Sequence, residues 1–538
     1  MVRKYLLSLQ KNNHPMKKLL FLLLGLIGIM SGMSQNGFET IIPYEDGIMR
    51  QGQFVVETNN NGFIVAATTI LYHHQNDFLL SIDKNGEITK SLVMQIDGKN
   101  LKYCGVFKHP EHENEYLAIA VLTDDNFNIY VQNTIVFLRI DENLNILGQD
   151  TWFLGDEYTQ LACFQYTDFP LFILNDDGTL AMAAHFKRSD TSYGYLFAQL
   201  TPYGKPVEIH EDYTLHHNGN WLLEFFVRNK TEKSYGVIIH DDPENSYDAG
   251  EYYYCLDSVF NFTKNKFITS LYLRTVPENA QIPDSTYIYA GNNHGSAEYY
   301  NDTLFLVTNQ GAYFTGSQIH EMNFIAILND SLDVKDVKFW DVDHIKSNSA
   351  QTKAISVKDG YIYHCGINGL KHDHNIKSLK DETTIVISKF DTSLNLLWRR
   401  YYDSSGESYD IQSIKATEDG GCIVVGVNAS IETWNSPNIY ILKVDENGYD
   451  AIDENAESLA KPYFCYPNPA NDIIYIEFSP DVICQSVEIY TLDGRLVKTC
   501  HGASQQTTVN VENLNAGVYI LKIKMADGKE FAERIVKE

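Results

Sequence analysis

Between residues 411 and 448 the chain alternates short apolar runs with polar turns. Ile411–Thr417 leads into a Glu-Asp-Gly-Gly turn at 418–421, and Cys422–Val427 follows. A polar loop holding Trp434 and Pro437 leads to Asn438–Val444, which Asp445-Glu-Asn-Gly448 closes. Runs this short, rich in β-branched residues and bounded by Gly, Asn and Asp, predict strands joined as an antiparallel meander.

Degenerate copies of this unit fill most of the chain. Each pairs a Gly- or Asp-bounded apolar run with a second run ending in a polar turn. The clearest is Asn61–Ala67 with Asp77–Asp83 and its Lys-Asn-Gly86 turn. The others are Tyr116–Leu122 with Thr134–Asp141, Gly178–Ala184 with Tyr195–Gly204, Asp302–Val307 with Asn323–Asn329, and Asp359–Tyr363 with Thr384–Asp391. The fourth copy is the weakest: Gly219–Val227, a long polar insertion, then Tyr252–Asp257. The turn anchors at 83, 141, 201, 257, 329, 391 and 445 are 54 to 72 residues apart, the signature of a repeat architecture.

A lone sheet of three or four strands leaves apolar faces open, and packing such sheets around an axis covers them. The expectation is a seven-bladed β-propeller over about residues 35–450. The ends of the array point to a closed ring. Leu396–Tyr402, Ile88–Gln95 and Val334–Asp341 read as outer strands, whereas no outer strand follows Gly448. Glu39–Tyr44 is a spare strand ahead of the first inner strand, Gln53–Thr58. Phe38–Tyr44 is therefore expected beside Asn438–Val444, with Pro43 tolerated because an edge strand does not need its missing donor. The pattern resembles secreted bacterial propellers with glycine-turn, apolar-strand and Asp-x-x-Gly repeats. That resemblance speaks to fold and hardly to function.

Of the 538 residues 44% are hydrophobic, enough for a large β core, and the formal net charge is −28. So acidic a surface disfavours nucleic acid and anionic lipid as partners. Met16-Lys17-Lys18 followed by the apolar run Leu19–Met30 reads as an export signal, too short to span a bilayer comfortably. Small residues at Gly32 and Ser34 place cleavage between Ser34 and Gln35, with Met1 or Met16 as the start. No Cys precedes Cys104, which excludes a lipoprotein site, and no later run is long and apolar enough to cross a membrane. The eight cysteines lack the spacing of a disulfide framework or of a thiolate zinc site. Cys104 and Cys163 occupy similar places in successive repeats, where a bridge competes with buried free thiols.

No Gly-x-Ser-x-Gly elbow, His-Glu-x-x-His pair or phosphate loop occurs, so no catalytic residue is assigned. Asp-Lys-Asn-Gly at 83–86 and Asp-Glu-Asn-Gly at 445–448 suggest calcium, but their place after a strand favours hairpin turns. His109-Pro-Glu-His112 and His372-Asp-His374 have ligand-like spacing without a visible third ligand. His73-His74 and His216-His217 are further loop pairs. No metal or cofactor is expected. Tyrosine clusters at 252–254 and 299–300 either pack β surfaces or line a glycan or peptide surface.

An acidic linker at 451–464 precedes a change of character. The tail opens on Tyr466-Pro467-Asn468-Pro469 and continues through strands Ile473–Phe478, Ser486–Tyr490, Arg495–Cys500, Thr507–Val511, Gly517–Met525 and Lys529–Val536. Turns fall at Leu492-Asp-Gly494 and Leu514-Asn-Ala-Gly517, and the pattern predicts a small immunoglobulin-like β-sandwich. These blocks, with the basic ending Arg534-Ile-Val-Lys537, resemble the type A C-terminal sorting domain of the type IX secretion system over Cys465–Glu538. The resemblance implies that Tyr466, Pro467, Asn468, Pro469, Gly494, Gly517 and Lys537 belong to a sorting signal. It also implies delivery across the outer membrane of Bacteroidota, contact with the secretion machinery and its sortase-like protease, and attachment to anionic lipopolysaccharide. The three tail cysteines are not part of that pattern. The expected protein is a secreted or cell-surface, non-enzymatic binding module for an extracellular protein or glycan. A surface glycosidase or peptidase with its site in the axial funnel is the alternative.

Overall fold

The computed structural model describes residues 37–43, 50–69, 77–123, 133–162, 170–213, 220–229, 234–242, 250–267, 289–290, 296–299, 304–315, 318–329, 334–340, 346–350, 352–370, 381–433, 436–450, 463–466, 470–478, 484–491, 495–501, 506–515, 517–526 and 530–537. Every regular element among them is a strand, and no helix there is long and apolar enough to cross a membrane.

Among the described residues, seven antiparallel sheets of four or five strands precede residue 451. The first runs Arg50–Glu57, Phe63–Thr69, Phe78–Ile82, Ile88–Val93 from inside to outside, and the others repeat that order. The innermost strands touch one another in sequence: Arg50–Glu57, Lys99–Lys108, Leu171–Leu174, Asn220–Asn229, Ser296–Tyr299, Ile355–Lys358 and Glu407–Ala416. The last of these touches the first, so the sheets close into a ring. This is a β-propeller.

Apolar side chains from facing sheets fill the gaps between blades. Val56, Ile64 and Leu79 meet Tyr103, Tyr116 and Val136 between the first and second sheets. Tyr363, Cys365 and Ile387 meet Ile411, Cys422 and Leu442 between the sixth and seventh. Glycine is required where backbones approach most closely: a Cβ at Gly426 would lie 2.2 Å from the carbonyl oxygen of Asp410 on the neighbouring strand.

The expected closure strand is present. Phe38–Ile42 pairs antiparallel with the seventh sheet, from Phe38 opposite Lys443 to Ile42 opposite Ile439. Pro43 lies just beyond the strand and is exposed, so its missing donor costs no ladder bond, and Tyr44 lies outside the described residues. Phe38 packs with Phe63, Val65 and Ile82 of the first sheet and Ile423, Val425 and Ile439 of the seventh.

One expectation is corrected. In the fourth sheet, 220–229 is the innermost strand, not the second, and the second strand, Ser234–Asp242, lies inside the expected polar insertion. Its apolar core (Tyr235, Val237) pairs with Arg228 and Phe226, and polar Ser234, His240, Asp241 and Asp242 at its ends mask the period. The innermost strands of the third, fifth and sixth sheets are each split in two, as at Lys346–Ser349 and Ile355–Lys358.

In the tail, a three-stranded sheet (Tyr463–Tyr466, Ile473–Phe478, Gln506–Asn510) and a four-stranded sheet (Leu496–His501, Cys484–Thr491, Gly517–Met525, Glu530–Lys537) share one core. Ile474, Ile476 and Val509 from one sheet pack with Val487, Leu521 and Ile523 from the other. Its first strand begins at Tyr463, ahead of the expected opening.

Candidate functional site

Side chains from several blades converge at the axis of the ring. Its middle is filled by a buried polar network. The Gln53 side-chain amide donates to Thr352 Oγ1, and Gln51 Nε2 donates to Gln53 Oε1 at 2.5 Å. Gln412 Nε2 reaches Asp410 Oδ2 at 3.4 Å, and Ser413 Oγ donates to the Gln53 carbonyl at 2.8 Å. Gln53, Asp410 and Gln412 are each 1% exposed. The backbone joins in, with Thr352 N and Lys353 N donating to the Gln412 carbonyl at 2.8 and 3.0 Å. The network ties the first, sixth and seventh blades together. Buried amides and hydroxyls bonded to one another hold these strands in a defined arrangement, with Gln51 Oε1 left without a partner.

Beyond this plug, toward the ends of the innermost strands, lies a cluster of charged side chains. Lys353 pairs with Glu298 at 3.5 Å, and Lys358 with Glu418 at 2.6 Å. Glu57 accepts the Glu418 backbone N–H at 2.8 Å, and burial pushes its carboxyl up. Lys415 sits among these groups. Burial, with Lys353 and Lys358 as like charges, pulls its amine down to about 8, against the opposing effect of Glu298 and Glu57. The same side chain is exposed to solvent.

The Asp-x-x-Gly motifs are turns. Asp83 Oδ1 accepts Asn85 N and Glu87 N at 2.9 and 2.8 Å, and Asp445 Oδ1 accepts Asn447 N and Tyr449 N at 2.8 and 2.9 Å. Gly86 and Gly448 take φ of 85° and 79°. Leu144, Phe260 and Leu394 hold the same position in other blades at φ of 55°, 65° and 55°, with their side chains buried in the core.

His109 and His112 come together, rings 4.7 Å apart. Their partners are structural: His112 Nε2 lies 3.0 Å from the Tyr203 hydroxyl, which donates to Glu111 at 2.8 Å. Among the described residues no three His, Cys, Asp or Glu side chains form a metal-holding group. Cys104, Cys365, Cys422 and Cys484 are buried free thiols, and Cys255, Cys465 and Cys500 are half-buried free thiols. Cys163, the pairs His73-His74, His216-His217 and His372/His374, Tyr300 and the leader with Ser34 and Gln35 lie outside the described residues. Tyr254 is core, packed edge-on to Phe262.

Of the expected signal residues in the tail, Tyr466, Gly517 and Lys537 are described. Tyr466 pairs with Tyr475. Gly517 opens its strand opposite Lys537, and Lys537 bridges Ala470, whose N–H donates to the Val536 carbonyl at 2.8 Å. Pro467, Asn468, Pro469 and Gly494 lie outside the described residues. The axial plug and Lys415 were not expected, since isolated Gln, Thr and Lys residues far apart in the chain carry no local signal.

The ring and its appended sandwich define an all-β protein of propeller fold with a separate tail. That tail has an identity: residues 465–538 match the secretion system C-terminal sorting domain family, and they are the C-terminal sorting domain of type IX secretion. The chain is accordingly exported by way of the periplasm to the cell surface or the medium, and it interacts with the type IX machinery. No curated protein sequence matches the chain. Among solved structures it is similar to the polysaccharide lyase Uly1, at 10% identity and a TM-score of 0.43, over 73% of this chain and 90% of that one. It is also similar to the β-propeller domain of the Trilobed protease from Pyrococcus furiosus, at 10% identity and a TM-score of 0.36, over 76% and 99%. Likenesses of that size say nothing about activity.

Proposed function

We propose that the seven sheets are the blades of a seven-bladed propeller spanning residues 35–450. It acts as a non-enzymatic binding module for an extracellular macromolecule or glycan. Residues 451–462 are the linker, and residues 463–538 form an immunoglobulin-like sorting sandwich whose signal comprises Tyr466, Pro467, Asn468, Pro469, Gly494, Gly517 and Lys537. The leader is removed between Ser34 and Gln35, the sortase-like protease processes the tail, and lipopolysaccharide of a Bacteroidota outer membrane retains the product.

The single observation that carries the binding reading is the composition of the axis. A glycosidase needs two carboxyl groups free to act as acid and as base or nucleophile. Here Asp410 is 1% exposed and bonded into the amide plug, Glu298 and Glu418 are paired with lysines, and Glu57 accepts the Glu418 backbone N–H. A propeller axis built this way supports recognition rather than bond cleavage.

The test is a glycan and extracellular-protein binding array probed with the full secreted chain, run beside a panel of glycosidase and peptidase substrates. Retention of a ligand class without turnover is the expected result. Turnover lost on replacing an axial carboxylate would establish the hydrolase instead.

A further inference from the structure

The first turn of the second blade, between strands Lys99–Lys108 and Glu115–Thr123, carries both His109 and His112. Backbone bonds close it: His109 N donates to the Glu115 carbonyl at 2.9 Å, and Glu115 N to the His112 carbonyl at 3.4 Å. The turn lies against the third blade. A Cβ added at Gly178, in the corresponding turn of that blade, would come within 3.2 Å of Pro110. The His109 ring is 6% exposed and stands 4.7 Å from the His112 ring and 5.7 Å from that of Tyr203, a third-blade residue.

The hydrogen bonds fix where the protons are. His109 Nδ1 accepts the Glu111 backbone N–H at 3.2 Å, so the neutral ring carries its proton on Nε2, which is buried without a partner. The Tyr203 hydroxyl gives its one proton to Glu111 at 2.8 Å. It can therefore only accept from His112, whose Nε2 lies 3.0 Å away and carries a proton. The two rings answer acid differently. A further proton on His112 goes to Nδ1 and leaves the bond to Tyr203 in place. A further proton on His109 must also go to Nδ1, where it faces the Glu111 N–H and turns an acceptor into a donor. That bond then breaks, and the charge is enclosed.

The groups facing His109 are Glu111, His112 and Glu115 of its own turn and the next strand, Arg139 of the blade's third strand, and Tyr203 of the third blade. Burial and then His112 hold its pKa below the usual histidine value; Arg139 acts the same way, while Glu115 and Glu111 oppose. The folded state thus favours the neutral ring. Its stabilisation is complete above about pH 6.5 and is lost as the pH falls through the lowered folded-state value.

We infer that the turn 109–114 is an acid-released latch between the second and third blades, opened by the further proton on His109. With the Glu111 N–H bond gone, the chain of contacts from Glu111 through Tyr203 to His112 loses its anchorage. The apolar core of the same seam, with Leu117, Phe137, Leu180 and Leu200, does not titrate and stays packed, so the release is local. The latch is independent of what the propeller binds.

The experiment is amide hydrogen exchange of the full secreted chain at about pH 7.5 and about pH 5, on either side of the histidine range. It is read by mass spectrometry and corrected for the intrinsic pH dependence of exchange. Protection at 111–115 should fall at least about fivefold in acid, the factor one lost buried hydrogen bond is worth. Protection at 85–87, in a turn capped by Asp83 without a histidine, should not change. His109→Asn offers an amide oxygen to the same N–H and cannot titrate, so it should keep the protection and abolish the acid response. His112→Gln keeps a donor for Tyr203 and should leave an acid response in place.

Protection at 111–115 that does not change with pH in the unaltered chain would overturn the latch. Acceleration across all the blades would overturn it too, since the chain would then be unfolding in acid as a whole. An acid response that survives in His109→Asn, or vanishes in His112→Gln, would overturn the assignment to His109. If His109→Asn does not fold, the unaltered chain and His112→Gln still decide.

Discussion

Replacing Phe38 by alanine tests the ring closure at its tightest point. Phe38 is 3% exposed and lies edge-on to Phe63 at 5.8 Å. Its ring also covers Gly86, where an added Cβ would come within 2.6 Å of it. One side chain thus joins the N-terminal strand to both the first and the seventh blades. Burying a phenylalanine removes roughly 150–250 Å² from water, an upper bound of about 4–6 kcal/mol at ~25 cal/mol per Å². Truncation to alanine in a closed core accordingly costs about 3–5 kcal/mol. Ile41, on the same strand, is 43% exposed, and Ile41→Ala should cost less than about 1 kcal/mol. Urea denaturation of both variants, with the slope unchanged, measures the difference directly. Amide exchange at 439–443 should also accelerate in Phe38→Ala, since that stretch is hydrogen-bonded to the closure strand. If Phe38→Ala proved no more costly than Ile41→Ala, the strand would not be fastening the ring.

Other consequences are as specific. Gly426→Ala should destabilise the protein by about 2 kcal/mol or more, because its methyl would meet the Asp410 carbonyl, and a melting curve reads this. Asp419→Asn should cost about 3 kcal/mol by stranding Lys443, whose side chain is 4% exposed and lies 2.8 Å from Asp419 Oδ2. Burial alone would raise the carboxyls of Asp419 and Asp391, but hydrogen bonds from Lys443 and Thr417 to the first, and from Asn395 and Ser393 to the second, lower both. Their stabilisation is therefore complete above about pH 4 and disappears as the pH falls through the lowered folded-state values, so denaturant midpoints should drop on acidification below pH 4.

The sequence exposed the fold wherever a turn needed a particular residue. Asp83 and Asp445 cap their turns with side-chain oxygens and are followed by a glycine at positive φ, so those copies stood out. Where Leu144, Phe260 and Leu394 occupy that position, the motif loses its glycine because the side chain has been recruited into the core. The fourth blade was misaligned for a related reason, its second strand being polar at both ends. Phe38–Ile42 was legible because an unpaired edge at each end of the array had one solution. The axis was not legible. Gln53 and Thr352 bond across 299 positions, and nothing local distinguishes Gln412 or Lys415 from any other polar strand residue. The tail was the opposite case, since its blocks follow in order within one short span.

Delivery is the claim on which the account depends most, and protease accessibility on intact cells measures it. Full-length protein should be cleaved by an external protease or recovered from the medium, whereas protein ending before Cys465 should stay protected in the periplasm. Truncated protein that still appeared at the surface would contradict the role assigned to residues 465–538.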